Sequence, residues 1–169
     1  MRYHIENCWL QVFAIDELRK QETIITLSGV HLCCGSCQKA VEQAVAGVEG
    51  ASVKVDREAK TVTISATDDV VAQKAADAIR DAGFYGKSDN DKVAVKTATA
   101  EGQSSRVELV GFHNCCGGCE KALNAAVRSV DGVKGAVVTK KSIVVEGDFA
   151  VASVLKALND AGFSASVKN

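Results

Sequence analysis

The feature that most constrains this chain is a nine-residue loop that occurs twice, as Gly29-Val30-His31-Leu32-Cys33-Cys34-Gly35-Ser36-Cys37 and as Gly111-Phe112-His113-Asn114-Cys115-Cys116-Gly117-Gly118-Cys119. Both copies read Gly-x-His-x-Cys-Cys-Gly-x-Cys, so six of the seven cysteines and two of the three histidines fall inside the two loops. A pattern that recurs together with its surroundings implies two copies of one folding unit. In a chain of 169 residues each copy has about 65 to 75 residues, enough to bury a small core without covalent staples.

The flanking sequence repeats in the same order. Glu22-Thr-Ile-Ile-Thr-Leu-Ser-Gly29 is β-branched, alternates and ends at glycine, which predicts a strand. Ser36 to about Ala46 places Ala40, Val41, Ala44 and Val45 on one face at helical spacing, so a helix opens directly at the thiols. Ala51–Asp56 and Thr61–Ala66 alternate as two strands around the turn Arg57–Lys60. A second helix is expected from an N-cap at Asp68 or Asp69 to Asp81, stopped at Ala82-Gly83, and Phe84-Tyr85 begins a short last strand. The second copy gives a strand at Arg106–Gly111, a helix at Gly118–Val130 and strands near Val133–Thr139 and Ser142–Glu146. A helix at Phe149–Ala161 and a strand at Phe163–Val167 complete it. The offset between copies is 82 residues at His31 and His113 and 79 at Gly83 and Gly162, a deletion that falls in loops.

The order βαββαβ is the ferredoxin-like split βαβ arrangement. The fold class expected is therefore α+β: two ferredoxin-like sandwiches in tandem, each an antiparallel four-stranded sheet with two helices on one face. The boundaries are an N-terminal extension over residues 1–21, a first domain over 22–88, a linker over 89–105 and a second domain over 106–169. The linker is set by its small polar residues beyond Val95. In the extension Ile5, Trp9, Val12 and Ile15 fit a helical stripe and Tyr3, Ile5, Trp9, Phe13 and Ile15 fit a strand; on a helix His4 and Cys8 at i and i+4 would share a face as part of a metal site, against the plainer reading of a packing segment with an incidental Cys. It has no basic start, uninterrupted apolar stretch or cleavage site, so it reads neither as a secretory signal nor as a membrane span, and a cytoplasmic location is expected.

Net charge and cysteine placement narrow the function. A net charge of -1, from 20 basic and 21 acidic residues, argues against a nucleic-acid partner or an anionic membrane surface. Disulfide scaffolds spread their cysteines to tie distant segments, whereas these are clustered in adjacent pairs, which points to reduced thiols kept for metal or redox work. A helix start supplies positive potential and free amides that favour thiolate, and Cys34 and Cys37, like Cys116 and Cys119, flank such a start. Cys33 or Cys115 and the imidazole of His31 or His113 raise the donor count to three or four. Two or three thiolates suit Cu(I), and three with one imidazole suit tetrahedral Zn(II). An Fe–S cluster more often takes four thiolates. The rival reading of Cys-x-x-Cys at a helix start is a thiol–disulfide oxidoreductase; the doubled motif with its extra Cys and His speaks against it.

Leu27-Ser-Gly-Val30, Cys34-Gly-Ser-Cys37 and Ile79-Arg-Asp-Ala-Gly-Phe84, with Val110-Gly-Phe112, Cys116-Gly-Gly-Cys119 and Leu158-Asn-Asp-Ala-Gly-Phe163, make each repeat resemble a heavy-metal-associated domain. This is the module of copper chaperones, mercury-binding periplasmic proteins and the N-terminal tails of P-type metal ATPases. The resemblance implies binding of a soft ion by the two loop cysteines and transfer to a similar domain by ligand exchange, without enzymatic turnover. It also implies a partner that is another metal-binding domain or a metal transporter. The family loop reads Gly-Met-x-Cys-x-x-Cys, but this chain holds no methionine beyond Met1. A third thiol and an imidazole have entered instead, and higher coordination favours storage, sensing or Zn(II) over rapid handover. The expected ligands are His31, Cys33, Cys34 and Cys37 in one domain and His113, Cys115, Cys116 and Cys119 in the other, with one Cu(I) or Zn(II) per domain. A third possibility is an interaction module whose two sites meet face to face and share metal across the linker or between chains.

Overall fold

A computed structural model of the chain describes residues 22–168; the readings made on the extension, including the His4–Cys8 pair, lie outside the described residues. The first unit runs β1 (Thr23–Ser28), α1 (Gly35–Ala46), β2 (Ala51–Asp56), β3 (Thr61–Ala66), α2 (Asp69–Asp81) and β4 (Lys87–Ser88). The second runs β5 (Gln103–Val110), α3 (Gly117–Arg128), β6 (Val133–Val138), β7 (Ile143–Ala150), α4 (Val151–Asp160) and β8 (Ser166–Val167). Their sheets have the orders β2-β3-β1-β4 and β6-β7-β5-β8, with every pairing antiparallel. The α+β tandem of ferredoxin-like sandwiches is thus the observed fold.

Alternation in the strands becomes a core because one face of each sheet is covered by helices. Ile25 and Leu27 of β1 and Val62 and Ile64 of β3 are fully buried beneath Val41 of α1 and Ala75 and Ile79 of α2. Leu109, Ile143 and Val145 meet Leu123, Val127, Val154 and Leu158 in the second unit. Each large apolar side chain so buried contributes about 1.5–3 kcal/mol relative to exposure. Asp68 caps α2 by accepting from the Val71 amide at 2.8 Å. Both second helices end in a Schellman turn: Phe84 N–H reaches Ile79 O at 3.2 Å, and Phe163 N–H reaches Leu158 O at 2.9 Å. Gly83 and Gly162 supply the required positive φ of 88° and 87°.

Three expectations are corrected. The last strands start later than expected, as the two-residue β4 and β8, because Phe84 and Phe163 pair with each other across the two units. The fourth helix begins at Val151 rather than Phe149: Phe149 stays on β7 opposite Ser104, with its ring buried in the core, and Ala150 offers no capping side chain. Residues just before the second sheet are not simply spacer. Val93 and Val95 are buried, and the Gln73 side chain donates to Ala94 O at 3.0 Å and accepts from Ala94 N–H at 3.1 Å, which ties this stretch onto α2.

Candidate metal centre

The two Cys loops are brought together by the ends of α2 and α4. Gly162 O accepts from the amides of His31 at 3.3 Å and Tyr85 at 3.0 Å. In mirror fashion Gly83 O accepts from His113 at 3.2 Å and Ser164 at 3.1 Å. The backbones approach so closely that a Cβ on Gly83 would lie 2.2 Å from His113 N, and one on Gly162 would lie 2.3 Å from His31 N. Each buried phenylalanine then stacks on the histidine of the other unit, with ring centroids 4.3 Å apart for His31–Phe163 and 4.4 Å for Phe84–His113. The result is a local pseudo-twofold that exchanges His31 with His113 and each loop with the other.

This contact places all six loop thiols in one cluster. Across the interface Cys33 Sγ lies 3.5 Å from Cys116 and 3.6 Å from Cys119, and Cys34 lies 3.6 Å from Cys115. Cys37 lies 3.7 Å from Cys115 and 3.9 Å from Cys119. Within the loops, Cys34–Cys37 is 3.7 Å and Cys116–Cys119 is 3.9 Å. The loops face each other because both rest on the helix end of the opposite unit. In the sequence Ala82-Gly83 reads as a helix stop, and Phe84 and Phe163 read as strand starts. Their recurrence in both copies was the available signal that they also do something else.

The local chemistry follows from the helix starts. Cys34 and Cys116 occupy the N-cap positions of α1 and α3. The Cys37 amide, then the neighbouring Cys115 and Cys37 thiols, favour the Cys34 thiolate and bring that thiol down to about 6. The Cys119 amide, with the Cys33 thiol, lowers Cys116 in the same way. Burial of the sulfur pushes Cys33, Cys37 and Cys115 up instead. Burial also lowers both histidines, helped at His31 by the charge of Lys60, so both are neutral at neutral pH. Their Nε2 atoms are buried without a hydrogen-bond partner.

These features fit a soft metal. With metal–sulfur bonds of about 2.3 Å, sulfurs around a tetrahedral ion lie about 3.8 Å apart, around a trigonal ion about 4.0 Å, and across a linear ion about 4.6 Å. The spacings of 3.5–3.9 Å thus suit three or four donors and not a linear pair. Cys37, Cys115, Cys119 and His113 offer donor atoms all within 4.8 Å of one another, as do His31, Cys33 and Cys119. An orphaned buried ring nitrogen beside thiols is a group that a cation would satisfy. Among the described residues no helix is long and apolar enough to cross a membrane.

Comparison with known family models returns one match, which spans the first Cys loop. Residues 24–85 match the model of the heavy-metal-associated domain. Among solved structures, the chain is similar to the N-terminal soluble domains of Bacillus subtilis CopA at 14% identity, with 88% of this chain and 95% of that one covered and a TM-score of 0.33. It is also similar to the water-soluble region of the P-type ATPase CopA from Bacillus subtilis at 17% identity, with 88% and 93% covered and a TM-score of 0.35. Comparison with curated proteins returns no match. The chain therefore carries a heavy-metal-associated domain at residues 24–85, followed by a second copy of the same fold and the same cysteine loop.

Proposed function

We propose that this protein takes up soft metal ions as cargo, Cu(I) ahead of Zn(II), in a site shared by its two units, and that it sequesters or stores them without catalytic turnover. The observation that carries this reading is the single cluster of six thiols with neutral imidazoles beside it. Soft thiolates crowded at spacings for three or four donors suit Cu(I), while Zn(II) would take a fourth donor, a thiolate or an imidazole. Cys33 is exposed, which gives the thiolates of a partner metal-binding domain or transporter a point of entry. Reduced thiols fit a reducing compartment, the cytoplasm.

The test is an anaerobic titration of reduced protein with Cu(I) held by a competing chelator, and separately with Zn(II), followed by alkylation and mass spectrometry. Cys33, Cys34, Cys115 and Cys116 are expected to lose reactivity as the ions bind, Cys37 and Cys119 being buried already. Absence of binding by either ion, or protection of one loop while the other stays fully reactive at saturation, overturns the reading. The thiolate character of Cys34 also favours an oxidoreductase as second reading. Turnover in an insulin-reduction assay would select it.

A further inference from the structure

Resting on the soft-metal reading above, we infer that the two halves of each loop serve different ions: its Cys-x-x-Cys binds with the first cysteine of the other loop, so that each ion is held by thiols of both units. Cys33 stands 3.6 Å from Cys37 of its own loop, yet it closes a triangle with the opposite pair, 3.5 Å from Cys116 and 3.6 Å from Cys119, which are 3.9 Å apart. Cys115 closes the matching triangle with Cys34 at 3.6 Å and Cys37 at 3.7 Å, themselves 3.7 Å apart. These triangles share no sulfur, so each cysteine has one assignment and the pseudo-twofold is kept.

The histidines follow the same division. The donor atom of His31 lies within 4.8 Å of Cys33 and Cys119, and that of His113 within 4.8 Å of Cys37 and Cys115 and also of Cys119. Each imidazole thus flanks the site that the extra cysteine of its own loop completes. The His-x-Cys half of the loop reaches across to the other unit, and the Cys-x-x-Cys half stays at its own helix start. This gives the extra cysteine of each loop a role toward the opposite unit. On binding, each participating S–H gives its proton to solvent and its sulfur lone pair to copper; copper enters and remains as Cu(I), and no electron moves. The positive ends of α1 and α3 flank the thiolate charge.

The experiment uses the full chain with chelated Cu(I) as probe, native mass spectrometry for ions per chain, and residue-resolved alkylation at saturation. The wild type should hold about two ions and protect Cys33, Cys34, Cys115 and Cys116. Cys33→Ser removes an exposed thiol, and retained far-UV circular dichroism verifies its fold. It should lose protection at Cys116 while Cys34 and Cys115 stay protected, the buried Cys37 and Cys119 being left out of the readout. Cys115→Ser should give the converse. Loss of protection at Cys34 in the Cys33→Ser protein, or no loss anywhere, overturns the exchanged arrangement and leaves soft-metal binding intact. A wild type that binds no Cu(I) removes the soft-metal reading itself.

Discussion

The two units are most alike where they touch and least alike where they do not. At the contact the correspondence extends to single hydrogen bonds: Gly83 O receives His113 and Ser164 as Gly162 O receives His31 and Tyr85. Away from it, α2 has the Asp68 cap while α4 starts at Ala150 with none. A helix start on the outside answers only to its own unit and can be rebuilt freely. A residue at the pseudo-twofold answers to both, since a change on one side leaves its counterpart without a partner.

Four measurements press on that contrast. The largest effect is expected from Gly162→Ala and Gly83→Ala. Each Cβ would enter the opposite unit's backbone, at 2.3 and 2.2 Å, and each residue would be held at positive φ. Both variants should separate the loops to the same extent, read as a larger hydrodynamic radius and loss of Cys33–Cys116 cross-linking by a short bifunctional alkylating reagent. An effect from one glycine alone would break the symmetry argument. Next, Phe84→Ala and Phe163→Ala each empty a fully buried site under a histidine ring and should cost about 3–5 kcal/mol in urea unfolding, with similar values for the two. Outside the contact, Asp68→Ala should cost about 1 kcal/mol, a loss with no counterpart at the uncapped Ala150.

The smallest effect is kinetic and concerns the apo thiols. Because Cys34 is lowered to about 6, it is mostly thiolate at neutral pH, and Cys116 is shifted the same way, whereas Cys33 and Cys115 are raised and remain protonated. Alkylation should therefore reach Cys34 and Cys116 first. Lowering the pH from 7 to 5, through the value of Cys34, should slow its labelling about tenfold as the thiolate is protonated. Equal labelling of all six thiols would show that the helix starts do not distinguish them.

Much of the fold was legible because its causes are local. The strands Ala51–Asp56 and Thr61–Ala66 and the helix ending at Asp81 lie where alternation, helical spacing, an aspartate cap and a glycine stop place them. The start of the last helix was misread because Phe149 and Ala150 are drawn into β7 by pairing with Ser104 and Gln103, partners far along the chain. Val93 and Val95 were taken for linker because their burial depends on what α2 leaves uncovered.

The same division holds at the site. The sequence by itself determined which atoms are available, a Gly-x-His-x-Cys-Cys-Gly-x-Cys loop at the start of a helix in each of two repeats, since donor type and helix-start electrostatics are properties of a few adjacent residues. Only the tertiary structure decided that the loops face each other and that Cys33 lies beside Cys116 and Cys119. That outcome rests on the close approach of two backbones at Gly83 and Gly162, a contact between residues distant in the chain whose spacing no local pattern encodes.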